Sequence, residues 1–162
     1  MNHSPTQTIN REFLVKTIPK LTVTKKEDNY RNYIYIKNGI VIRVQRKNET
    51  FELERKENVS NHVGESTKII ITEDEYLNLR NFSQKEVIRT SYRYLEIPEL
   101  TIRIYKGNFS GLIRAEIYFK NIDDANRFVP YPWLDKEITG TPLSQDSGIL
   151  SMSDNEFKKS VL

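Results

Sequence analysis

The chain has 162 residues, of which 37% are hydrophobic and 29% charged, with a formal charge of +3. That length suits one domain able to bury a real core, and so small a charge excess does not by itself argue for a nucleic-acid partner, which is not expected. There is no cysteine, which excludes disulfides, thiolate catalysis and cysteine-bound zinc; His3 and His62, the only histidines, have no partner at ligand spacing, so neither a histidine metal site nor a Ser/His/Asp triad is expected.

Met1 to Gln7 is polar and reads as a disordered start. Ile9 to Lys16 reads as a first strand. Tyr33 to Lys37 and Ile40 to Arg46 are β-rich runs joined at Asn38-Gly39, a dipeptide whose tolerance of positive φ makes it a strong hairpin signal. Phe51 to Lys56 alternates, and a polar loop over Glu57 to Ser66 leads to a short strand at Lys68 to Ile71. Thr72-x-x-Glu75 is a capping box that opens a helix to about Phe82. Its buried residues are expected to be Tyr76, Leu79 and Leu77. Val87 to Leu95 alternates again until Pro98, and Leu100 to Tyr105 is the next strand. Gly111 to Phe119 follows, then a helix capped by Asn121 and lasting to about Phe128. Leu143 to Leu150 holds a last helical turn, and 151–162 reads as a tail after a main domain over 8–150.

The Gly111 to Phe119 segment carries most information. Strand side chains alternate with period two, so Ile113, Ala115, Ile117 and Phe119 share one face while Arg114, Glu116 and Tyr118 share the other. One face packs as a core; the opposite face carries a cation and an acid. About eight such strands with few helices predict an α+β protein built on an antiparallel sheet, a closed or nearly closed barrel with a polar interior. Together with the family resemblance given below, the strand phases imply that Arg43, Lys56, Arg89, Arg93, Arg103 and Arg114 line one interior. Buried cations need counter-charges. Ion pairing of Glu12, Glu52, Glu54 and Glu116 with Arg43, Arg103 and Arg114 is one solution, and a bound phosphate-bearing anion is another. Trp133 reads as a core plug, and Tyr30, Tyr33 and Tyr35 as half-buried strand aromatics. No run approaches the roughly 18 apolar residues of a membrane span. A soluble cytoplasmic protein is the expectation.

Several segments, taken in order, resemble the CYTH family, the triphosphate tunnel metalloenzymes. Thr8-Ile9-Asn10-Arg11-Glu12-Phe13-Leu14-Val15 resembles that family's opening strand, and Arg43-Val44-Gln45 its R-x-R strand. Leu53 to Lys56, Arg93-Tyr94, Gly111 to Phe119 and Pro132 to Gly140 resemble later motifs, so the likeness extends over most of the chain. It implies an eight-stranded antiparallel tunnel in which basic side chains hold a triphosphate, a polyphosphate or a nucleotide and acids hold Mg²⁺ or Mn²⁺. Hard divalent cations take oxygen ligands, and arginine forks match phosphate oxygens.

The chain departs from that pattern at its acids. Thr8, Asn10 and Glu12 replace the opening E-x-E-x-K, Gln45 replaces an arginine, and Thr101 and Arg103 stand where an acidic pair is usual. Ser91 takes a lysine position and Tyr118 an acidic one, leaving Glu116 as the aligned metal-binding acid. Glu52-Leu53-Glu54-Arg55-Lys56 is itself an E-x-E-x-K on a later strand. The leading expectation is therefore a divergent member that binds a phosphate-rich anion through the six basic residues, with weak or absent hydrolysis. One alternative is a Mg²⁺- or Mn²⁺-dependent triphosphatase with a relocated site of Glu52, Glu54 and Glu116. Another is a structural or protein-binding barrel whose interior is filled by ion pairs.

Overall fold

The computed structural model describes residues 9–58, 64–83 and 85–161. The expected disordered start at Met1 to Gln7 and both histidines lie outside these residues. Among the described residues nine strands form an antiparallel sheet: β1 Ile9–Val15, β2 Val23–Lys37, β3 Ile40–Lys47, β4 Thr50–Asn58, β5 Gly64–Ile71, β6 Lys85–Tyr94, β7 Leu100–Lys106, β8 Ile113–Phe119 and β9 Leu134–Glu137. Their hydrogen-bonded order is β5-β4-β3-β2-β6-β7-β8-β1-β9. Four helices accompany them: α1 Glu73–Leu79, α2 Ile122–Arg127, α3 Asp146–Ile149 and α4 Asp154–Val161. The α+β class and the antiparallel sheet agree with the alternation read above; the ninth strand was not foreseen. No helix among the described residues is long and apolar enough to cross a membrane.

The chain divides into two compact units, one of residues 28–88 and the other of 9–27 and 89–161 among those described. In the first, Asn38 and Gly39 take φ of 53° and 74° and close the β2–β3 hairpin. Those positive values suit a two-residue hairpin turn, whose twist matches that of the flanking strands. β3, β4 and β5 then pair in step, from Ile40 opposite Glu57 to Phe51 opposite Ile71. The capping box forms as expected: the Thr72 hydroxyl accepts from the Glu75 backbone N–H, and the Thr72 N–H donates to the Glu75 carboxylate at 2.7 Å. α1 is continued by a 3-10 turn over Arg80–Phe82 and packs on β3 and β4. Tyr76 is its buried residue, with its ring 5.2 Å from that of Phe51 and its hydroxyl donating to Asn32. Leu77, expected inside, is exposed, because it stands about 100° round the helix from the buried Tyr76.

In the second unit, β8 pairs with both β1 and β7, so Phe13, Ala115 and Ile102 share one rung. All three are essentially inaccessible and join Leu100, Ile117 and Tyr94 in the core. Burying each of the larger side chains contributes about 1.5–3 kcal/mol. Trp133 is stacked on Tyr131 at 5.3 Å and packs against this core, as expected of a plug. α2 is capped by Asn121, whose side chain accepts from the Asp124 N–H. The segment read as a tail forms α4: Ser153 and Glu156 cap it reciprocally, and the buried Phe157 ring meets Phe109 edge-on at 5.2 Å.

Candidate functional site

Both units carry a polar strand face. In the first unit, Arg43 stands opposite Glu54 and Gln45 opposite Glu52 on β3 and β4, on the face away from Val44 and Leu53. The Arg43 guanidinium donates to Glu54, which also accepts from the Ser66 hydroxyl at 2.7 Å and from the Gln45 amide. Glu52 accepts from the Gln45 amide at 2.6 Å, with the Lys47 ammonium 3.8 Å away. Burial works against ionisation of Glu54, but the charge of Arg43, the Ser66 hydroxyl and the charge of Lys68 outweigh it and hold the carboxyl below the usual range. Arg43 also lies over the Tyr33 ring, 5.7 Å from its centroid. Each carboxylate here has the donors it needs.

The second unit is built differently. Glu12 of β1 stands directly opposite Glu116 of β8, and Arg114 of β8 directly opposite Arg103 of β7. Residues opposite one another on an antiparallel ladder share a face at close range, so like charges meet along each rung. Opposite charges meet across rungs instead: Arg103 donates to Glu116 at 2.5 Å, while the Arg114 Nε lies 3.9 Å from Glu12. A third acid, Asp146 of α3, accepts from Arg89 Nε at 2.9 Å, from the Tyr105 hydroxyl at 2.5 Å and from Arg114 Nη2 at 3.4 Å. Ser91 accepts from Arg89 at 2.6 Å. The side chains of Arg89 and Arg114 are each 5% exposed and Asp146 3%, while Arg103 reaches 14%.

The protonation states follow from this packing. Burial raises the Glu12 carboxyl to about 8, and the negative charge of Glu116 adds to the effect, against the pull of Arg114. The packing therefore favours the protonated form of Glu12 well above the ordinary carboxyl range. Burial pushes the Tyr105 phenol up, as does the Asp146 charge, so it remains a donor. Arg103 and Arg114 are raised although burial opposes it: Glu116 outweighs the cost for Arg103, and Tyr105 and Asp146 for Arg114. The guanidinium groups of Arg89, Arg103 and Arg114 thus meet the carboxyls of Glu12, Glu116 and Asp146, and burial favours the neutral form of Glu12. Among the buried atoms, Nε of Arg103 and Nε of Arg114 have no hydrogen-bond partner among the described residues.

Of the six basic residues expected to line one interior, Arg89, Arg103 and Arg114 come together here. Arg43 belongs to the matched face of the first unit, Lys56 is half-buried on β4, and Arg93 is exposed near the end of β6. Glu52, Glu54 and Glu116, the expected metal set, each have other partners in the structure. Glu52 and Glu54 are taken up by Gln45, Arg43 and Ser66, Glu116 is bound by Arg103, and no three His, Asp or Glu side chains among the described residues gather closely enough to hold an ion. The donor chemistry of the second unit gives the same answer. A divalent cation placed at Glu12 and Glu116 would find only two carboxyls, one of them already bound by Arg103, with guanidinium groups beside them. The residues present do not fit a divalent metal. The pairing of Glu54 with Arg43 and of Glu116 with Arg103 is the ion-pair arrangement weighed above, while Arg114 Nε stands 3.9 Å from the Glu12 carboxyl without a hydrogen bond. Asp146 and Tyr105 were missed: Asp146 sits in Ser144-Gln145-Asp146-Ser147, where no alternation sets a phase.

The fold and this cluster define an antiparallel β protein with buried arginines and carboxyls on its strand faces. The fold is shared with the inorganic triphosphatase NE1496, at 22% identity and a TM-score of 0.75, over 89% of this chain and 98% of that one. It is shared more distantly with a conserved hypothetical protein from Pyrococcus furiosus, at 11% identity and a TM-score of 0.51, over 74% of this chain and 83% of that one. The PH1012 protein from Pyrococcus horikoshii matches at 11% identity and a TM-score of 0.50, over 79% of this chain and 94% of that one. No family model matches the sequence, and no curated protein matches it significantly. The structural likeness bears out the CYTH-like resemblance at the level of the fold.

Proposed function

We propose that the second unit binds a phosphate-rich anion, of the triphosphate or polyphosphate class, on Arg89, Arg103 and Arg114, with weak or absent hydrolysis. The observation that carries this reading is that Nε of Arg103 and Nε of Arg114 are buried donors with no hydrogen-bond partner among the described residues. A buried cation without a counter-charge is costly, and phosphate oxygens supply both charge and acceptors in the planar geometry that a guanidinium matches. The fold supports the ligand class, because the similar structure NE1496 is an inorganic triphosphatase. Weak hydrolysis follows from the acids, which serve the arginines and leave no oxygen set for a metal. Arg43 is matched by Glu54 and stands outside the reading, which needs neither Lys56 nor Arg93.

Thermal unfolding with tripolyphosphate and with ATP, each in EDTA, Mg²⁺ and Mn²⁺, tests this. A ligand at about 100 times its dissociation constant adds roughly 2.7 kcal/mol to the folded state. The reading expects a shift in EDTA. A shift confined to the metal-containing samples, accompanied by phosphate release, would establish a metal-dependent triphosphatase instead. No shift in any sample would leave an ion-paired scaffold.

A further inference from the structure

We infer that Asp146 is a positioning residue for the anion site, holding Arg89 and Arg114 in fixed orientations before the anion arrives; this rests on the phosphate reading above. Its two oxygens take different partners: Oδ2 accepts from Arg89 Nε, and Oδ1 accepts from both Tyr105 and Arg114 Nη2. The remaining arms of the two arginines are also held. Arg89 Nη1 donates to Ser91, and Arg114 Nη1 donates to the Leu143 carbonyl at 3.0 Å. The Tyr105 ring lies 5.4 Å from the Arg114 guanidinium carbon. Arg114 is therefore gripped at both terminal nitrogens and along one face, and Nε is the donor left over.

The backbone places Asp146 with little freedom. α3 follows a 3-10 turn at Pro142–Ser144, and Gly148 lies so close to that turn that an added Cβ would come within 2.3 Å of the Pro142 carbonyl oxygen. Leu143 and Ile149 are buried on either side of the acid. A carboxylate suits the position better than a neutral acceptor, because two guanidinium groups converge on it and would otherwise repel. Long arginine side chains lose rotamer freedom when a ligand orders them, and prior clamping removes that cost from the binding step. The carboxylate is 3% exposed and both its oxygens are bonded, so it acts through the arginines rather than on the anion.

Calorimetric titration of the full chain with tripolyphosphate in EDTA tests this, using the wild type, Asp146→Asn, Tyr105→Phe, Arg114→Lys and the Asp146→Asn/Arg114→Lys pair. Asp146→Asn is expected to weaken binding by about tenfold or more, and Tyr105→Phe by about threefold. Because Asp146 acts through Arg114, its loss should cost far less in the Arg114→Lys background, a coupling that a merely structural acid would not show. Unchanged or tighter binding by Asp146→Asn, or additive effects in the pair, would overturn the inference while leaving the anion reading intact. A wild type that does not bind overturns both. Should Asp146→Asn fail to fold, the near-isosteric Tyr105→Phe decides, and unchanged affinity there contradicts the inference.

Discussion

The two polar strand faces use the same residue types and solve opposite problems. In the first unit, cation and acid stand on the same rung: Arg43 opposite Glu54, Gln45 opposite Glu52. In the second, like stands opposite like: Glu12 with Glu116, Arg103 with Arg114. The first arrangement saturates itself, and its acids are fully served by neighbouring donors. The second needs a raised carboxyl, a third acid brought in from α3, and still leaves guanidinium donors unused. Ladder register thus decides which face is matched rung by rung and which sets like charges opposite one another, more than composition does.

The largest expected effect lies in the saturated face. Arg43→Met removes the partner of a carboxylate that is 5% exposed, and should lower stability by about 3–5 kcal/mol in chemical denaturation. Tripolyphosphate affinity, corrected for the folded fraction, should not change. A parallel loss of affinity would erase the distinction between the faces.

Protonation of Glu12 sharpens it further. The native carboxyl binds its proton up to about pH 8, against an ordinary value of 4.5, so the folded state holds a proton that the unfolded chain releases. Stability associated with this group is fully present below about pH 4.5, falls as pH rises through that window, and is lost above about pH 8. Glu12→Gln cannot titrate. Its stability relative to wild type should therefore grow between pH 4.5 and 8 and level off beyond, as followed by denaturation across pH. A constant difference would show that the Glu12 carboxyl is not raised in the folded state.

The smallest effect belongs to the helix of the first unit. Thr72→Ala removes the cap of α1 and should cost about 1 kcal/mol with no change in anion affinity. An affinity change in that variant would mean that the first unit takes part in binding.

Much of the architecture was legible because local rules acted alone. Asn38-Gly39, the Thr72–Glu75 box and the Asn121 cap each specify their own geometry within a few residues. The period-two phase of Gly111 to Phe119 correctly separated Ala115 and Ile117 from Arg114 and Glu116. The first half of β2, Val23 to Asp28, was not legible, since Val-Thr-Lys-Lys-Glu-Asp lacks alternation and its first four residues are exposed. β9 was hidden for another reason: four residues with a single buried side chain carry too little pattern. At the site, strand phase identified the arginines, but register is a tertiary property. That Glu12 meets Glu116, or that Asp146 reaches Arg89 across 57 positions, could not be read from spacing.

The most direct measurement is calorimetric titration of tripolyphosphate in EDTA into the wild type, Arg103→Lys and Arg43→Lys. Both substitutions keep the charge and remove the guanidinium fork. A charge-assisted hydrogen bond is worth about 1.5–3 kcal/mol, so Arg103→Lys should bind at least about tenfold more weakly, while Arg43→Lys binds as the wild type does. Equal affinities for all three proteins, or a loss confined to Arg43→Lys, would contradict the assignment of the anion to the second unit.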